Sequence, residues 1–194
     1  MDEEKKTELR ERVKRLCLSA YPPHNWDDHL IPVVNSALKL QQIHGGDRFI
    51  IEVGAYMHDI GRVLFDYLKF AGVTHEISGF YYTRFKLWQY GFDRESRRRI
   101  AKCVLEHSYS GISGYRPTSL ESKIVLNADA IAAFEKWKYQ FSIYYSTRGR
   151  DKRKTKRWLL GKLDLSWEKL TLPGTKEEIQ PLYDIIKQAM ERIN

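Results

Sequence analysis

Six side chains able to ligate a divalent cation recur along this chain: His29, the neighbours His58 and Asp59, His75, His107 and Asp129. His58 and Asp59 end a nearly unbroken apolar run, "VGAYMHDIGRV", residues 53–63. Imidazole and carboxylate without thiolate suit Mn, Fe, Ni, Co or Zn rather than a Cys-type structural zinc, and the expected cofactor is a divalent metal of this kind, or Mg. Each candidate shares a helical face with apolar residues. His29 lines up with Val33, Ala37 and Leu40, His75 with Gly79 and Tyr82, and His107 with Ile100, Cys103 and Val104. Asp129 lines up with Val125 and Ala132. Residues three or four apart stack on one side of a helix, so all these polar groups are aimed at a core.

Taken singly, each histidine reads as an ordinary boundary residue and each Asp as a cap. Taken together they need a shared partner, because a buried unpaired carboxylate costs roughly several kcal/mol. A divalent cation is the simplest one. Glu76 and Glu106 neighbour candidate ligands but point about 100° away on a helix, so they read as solvated or as supports of the ligands. His24 and His44 read as surface residues in loops.

The elements that must position these groups are predicted to be helices. Residues 3–19 form an amphipathic helix that "YPPHN" breaks, since two prolines cannot continue it. A second helix starts near "WDDH", with Asp27 or Asp28 as N-cap, and runs to Gly45–Gly46. A third spans 47–60 and stops at Gly61. Others cover 74–90, 93–108 and 118 to about 145, with "SGISGYRP" as a loop. The last opens at Thr175, with Glu178 completing a capping box. No segment shows the alternation of a strand. The fold class is therefore all-α, one helical domain over 1–194 with roughly seven or more helices around a metal site.

The 194 residues are 42% hydrophobic, enough for a sizeable core. No apolar run approaches the ~20 residues needed to span a bilayer, so no membrane partner is expected. "MDEEKKTELRERVKR" carries no apolar stretch after its charges, unlike a secretory signal. Cys17 and Cys103 are the only cysteines and make no disulfide framework. The expected location is cytoplasmic. The formal charge of +8 is local: "RGRDKRKTKR", residues 148–157, carries a net +6, leaving about +2 elsewhere.

In order and context, "DDHLIPVV", "YMHDIGR" and "NADAIAAF" resemble the HD-domain superfamily of metal-dependent phosphohydrolases, over about 26–140. The resemblance implies that His29, His58, Asp59 and Asp129 hold a metal. Ile60-Gly61-Arg62 after the doublet is similar to the HDIG-type branch, which implies a phosphate contact for Arg62. His75 and His107 fall where two-metal members carry extra histidines, which implies a second ion with Asp59 as bridge. Arg62 stands where single-metal nucleotidases carry an acidic residue, which points away from a nucleoside monophosphatase of that kind. The absence of a GYP signature likewise leaves a cyclic-dinucleotide phosphodiesterase unsupported. Residues 146–194 read as appended to this core.

The expected activity is hydrolysis of a phosphate ester, of a nucleotide or another small phosphorylated metabolite. A metal lowers the pKa of bound water from ~15.7 toward ~7, and two ions ~3.5–4 Å apart share the attacking and leaving oxygens. Asp59 and Arg62 are the expected catalytic residues. The basic run 148–157 reads either as a solvated loop or as a segment folded back over the site mouth, where it would attract an anionic substrate. The alternative is a nucleic-acid-associated or regulatory module with a structural or vestigial metal site. It would use the basic run for phosphate contacts and Trp137, Tyr139, Tyr144, Tyr145 and Trp158 for base stacking.

Overall fold

A computed structural model describes residues 1–65, 72–111 and 114–193. Helices and connecting turns make up the described residues, with no strand among them. Helix α1 spans Glu3–Ala20 and is capped by Asp2, which accepts from the Lys5 N–H. It buries Leu9, Val13 and Cys17 at steps of four. After the prolines come a short helix α2, Pro23–Asn25, and one π-helical turn, Trp26–Leu30. Helix α3 follows directly over Ile31–His44.

The π-helical turn replaces the expected cap at Asp27 or Asp28; Asp28 instead lies 3.6 Å from the Lys136 ammonium. Pro32 explains the turn. It lacks an N–H and its ring would collide with the carbonyl four residues back. The wider turn, closed by the Ile31 N–H on the Trp26 carbonyl, takes up that conflict. His29 lies within it.

Helix α4, Arg48–Met57, is capped by Asp47 and buried on nearly all sides. It ends before Gly61. His58 and Asp59 form a turn, and α5, Ile60–Phe65, begins immediately after. Gly61 is thus inside a helix rather than a stop. A Cβ there would overlap the His75 carbonyl oxygen and lie 2.6 Å from the Gly79 nitrogen. Glycine lets α5 press its backbone against α6, His75–Gln89.

Helix α7 covers Arg94–Glu106 and α8 covers Leu120–Glu135. The loop "SGISGYRP" lies between them; its Ile112 and Ser113 are outside the described residues. α8 is apolar on almost every side, as a central helix must be, and it packs against α3, α4, α7 and the later helix over Lys152–Lys169. The expected long helix to about 145 is interrupted at Lys136, whose ψ of 21° leaves the helical range. Helix α9, Trp137–Thr147, then starts afresh.

The basic run opens helix α10, Lys152–Lys169, instead of folding over a cleft, with Asp151 accepting from the Lys154 N–H as N-cap. One face of α10, Thr155, Leu159, Leu163 and Ser166, is buried. Helix α11, Thr175–Glu191, buries Ile179, Tyr183, Ile186 and Met190. Its expected capping box does not form. Thr175 is buried and donates to the Leu172 carbonyl, while Glu178 pairs with Lys39. Buried side chains from α1 through α11 form one continuous cluster.

Candidate metal centre

The turn between α4 and α5 is the hub. His58 is fully buried, and its Nδ1 donates to the Ala55 carbonyl at 2.7 Å. The Asp59 carbonyl accepts from Arg62 N and Val63 N and so starts α5, which leaves the Asp59 side chain free to face inward. His107 follows the last turn of α7 and repeats the His58 arrangement, with Nδ1 donating to the Val104 carbonyl at 2.7 Å. His75 opens α6, with Nδ1 3.3 Å from Glu76 Oε2. In His58 and His107 the occupied Nδ1 leaves the Nε2 lone pair directed at the centre, the usual arrangement of a metal-ligating histidine.

The two oxygens of Asp59 face different partners. Oδ2 lies 3.3 Å from His29 Nε2 and 3.8 Å from His58 Nε2. Oδ1 lies 3.3 Å from His107 Nε2 and 3.5 Å from His75 Nε2. Two three-residue groups result, His29–His58–Asp59 and Asp59–His75–His107, each compact enough to hold a cation. Asp129, from α8, adds Oδ1 at 3.9 Å from both His29 and His58 Nε2. All six candidates from the sequence are therefore together, carried by the π-helical turn, the α4–α5 turn, α6, the end of α7, and α8.

The donor chemistry fits a divalent cation. His29 Nε2 and His58 Nε2 are 3.0 Å apart. The His58 nitrogen already presents a lone pair, so a proton or a cation must lie between them or beside them. Burial pushes the His58 and His75 imidazoles down to about 4, so both are neutral at neutral pH. Burial alone would raise the carboxyls. The nearby Arg62 guanidinium instead holds Asp59 well below the usual carboxylate range. Lys169 does the same for Asp129.

Arg62 is half exposed at the rim, with Nε 3.2 Å from Asp59 Oδ1 and Nη2 2.9 Å from His75 Nε2. Glu76 and Glu106 each back a neighbouring histidine of the centre. Glu76 faces His75 and also accepts from the Ser108 hydroxyl. Glu106 is buried and receives the N–H and hydroxyl of Thr118, which ties the loop after α7 beside His107.

Two lysines were not among the candidates. Lys169 Nζ lies 2.8 Å from Asp129 Oδ2. Lys162, two turns earlier on α10, is exposed and within electrostatic reach of Asp129 and Asp59. Crowding there pushes its ammonium below its ordinary pKa, against the pull of Asp129 and Asp59. Neither had a distinguishing signal in a chain this rich in lysine. The basic run 148–157 ends at Arg157, twelve residues before Lys169. At ~1.5 Å per residue that is about 18 Å along α10.

An all-helical fold around a buried His/Asp centre defines the class. The family model of the HD domain matches residues 26–133, and the chain belongs to that family. The HD superfamily consists of metal-dependent phosphohydrolases. Among solved structures, Bacillus subtilis YpgQ is similar, with 16% identity, a TM-score of 0.73, and coverage of 96% of this chain and 94% of that one. The structure of YpgQ in complex with ADP gives 17% identity and a TM-score of 0.74, covering 97% and 94%. The likeness in fold thus extends through the helices beyond residue 133. No curated protein matches the chain in sequence.

Proposed function

We propose that this protein is a metal-dependent phosphohydrolase acting on a nucleotide or another small phosphorylated metabolite. The observation that carries the reading is the placement of Asp59, with one oxygen toward His29 and His58 and the other toward His75 and His107. His29, His58 and Asp129 would hold a cation on one side of Asp59, and His75 and His107 on the other. Such cations supply Lewis-acid chemistry, making water a nucleophile at neutral pH and drawing charge from a phosphoryl oxygen. Asp59 orients the attacking water by accepting its proton as a hydrogen bond. Arg62 binds the phosphate through its planar fork of N–H donors, and Lys162 adds a second positive charge at the rim. The fold shared with YpgQ, a protein solved with ADP, supports a phosphorylated ligand. The helices after residue 140 are read as part of the same domain, because Lys162 and Lys169 come from them.

The nucleic-acid alternative is not favoured. Tyr144 and Trp158 stack on each other, with ring centroids 4.2 Å apart. Trp137 and Trp158 also pack against the core, which takes these rings away from bases. The test is hydrolysis of p-nitrophenyl phosphate, its bis-ester and a panel of nucleotides by metal-depleted protein, with and without added Mn²⁺. Product released only with the metal is the expected result. Metal uptake with no hydrolysis anywhere in the panel contradicts the reading.

A further inference from the structure

Asp129 uses its two oxygens differently. Oδ1 faces the His29 and His58 nitrogens, whereas Oδ2 is engaged by the Lys169 ammonium at 2.8 Å. Both side chains are mostly buried, at 14% and 16% exposure, so solvent screens the pair weakly. Lys169 is the last residue of α10, and the segment after it is clasped to α8 beside Asp129. Asn127, buried and two residues before Asp129, accepts from Thr171 N at 2.8 Å, Leu172 N at 3.1 Å and the Thr175 hydroxyl at 3.3 Å. Its amide also donates to the Thr171 hydroxyl and to the Lys123 carbonyl. Two anchors on α8, Asn127 and Asp129, therefore fix the end of α10 at the metal centre.

We infer that Lys169 is a positioning residue of the centre: its ammonium occupies Asp129 Oδ2 so that Asp129 offers the cation Oδ1 alone. The inference rests on the proposed role of Asp129 as a ligand. A carboxylate with both oxygens free can chelate a cation through both. Holding one oxygen on an ammonium keeps Asp129 to a single bond and leaves a coordination place for water or substrate, which catalytic sites require. Lys169 lies 36 positions beyond the last residue matched by the family model, so the C-terminal helices complete the site rather than only cover it.

The test compares wild type, Lys169→Met and Lys169→Arg, each loaded with Co²⁺ and read by visible absorption, with the Mn²⁺ dissociation constant measured in parallel. Met keeps the length and removes the charge; Arg keeps a cation. In Lys169→Met the freed Oδ2 joins the metal, so the Co²⁺ bands weaken as coordination number rises. Mn²⁺ binds no less tightly, because a nearby positive charge is gone. Any hydrolytic kcat/KM falls about 10- to 100-fold, the usual effect of losing a group that orients a ligand. Lys169→Arg restores the wild-type spectrum. A Lys169→Met spectrum identical to wild type, weakened Mn²⁺ binding in a folded Lys169→Met protein, or failure of Arg to restore the spectrum overturns the inference. Should Lys169→Met fail to fold, the Lys169→Arg spectrum decides: wild-type bands support the inference and altered bands overturn it. Wild-type protein that takes up no Co²⁺ refutes the ligand assignment itself, a failure distinct from these.

Discussion

Arg62 Nη2 lies 2.9 Å from His75 Nε2, on the lone pair that His75 would offer a cation. Its Nε meets Asp59 Oδ1, the oxygen shared with that same pocket. The guanidinium and a cation between His75 and His107 therefore compete for the same donors. Arg62 must turn outward, toward where a phosphate would lie, when that pocket is filled. Arg62→Gln should tighten binding of the second Mn²⁺ and raise KM for any phosphorylated substrate. Calorimetric Mn²⁺ titration of both proteins checks this, and an unchanged second binding step would remove the competition from the account.

Asp59 touches both pockets and His107 only one. Asp59→Ala should therefore abolish both binding events and all activity, whereas His107→Ala should lose one ion and keep the other. The two residues sit at helix ends, so far-ultraviolet circular dichroism should show the fold retained in both. Stoichiometric Mn²⁺ in purified Asp59→Ala would end the assignment of Asp59 as a shared ligand.

Acid should destabilise the metal-free protein before its carboxylates titrate. Burial lowers His58 and His75 from 6.5 to about 4 in the folded state. Between those pH values the unfolded chain binds more protons than the native one, so stability rises with pH there. This contribution is complete above about pH 6.5. It declines as pH falls and is exhausted near the folded value. Tm of chelator-treated protein, followed across this window, should drop steadily, and added Mn²⁺ should shift the drop to lower pH. A flat Tm profile across the window would show that these imidazoles are not held neutral by burial.

The α5–α6 contact should tolerate no side chain at Gly61. A Cβ there overlaps backbone rather than a flexible side chain, so relief requires moving a helix. Gly61→Ala should destabilise by about 3 kcal/mol, the upper part of the range for overpacking. Because α5 carries Arg62 and α6 carries His75, it should also weaken the second Mn²⁺ site more than the first. Chemical denaturation and Mn²⁺ titration measure the two effects, and a neutral Gly61→Ala would mean that the helices separate easily.

Much of the centre was legible because its candidate ligands are of few chemical types. Six His and Asp side chains at helical spacings on apolar faces could be placed without coordinates, and all converge. What escaped the sequence depends on tertiary contact. Lys169 is one of many cationic residues in the chain, and its partner is 40 residues away. Gly61 looks like a helix stop because only the approach of α6 reveals its purpose. Lys136 interrupts a helix whose apolar pattern continues across it. The π-helical turn at His29 follows from Pro32, but the preceding residues could have met that constraint by simply ending the helix.

Anomalous diffraction from crystals soaked in excess Mn²⁺ tests the central claim most directly. The account predicts two peaks on opposite sides of the Asp59 carboxylate. One should be bounded by His29, His58 and Asp129, and the other by His75 and His107 after Arg62 has moved out. A single peak under excess Mn²⁺, with His75 and His107 hydrogen-bonded elsewhere, or no peak beside Asp59 at all, would contradict it.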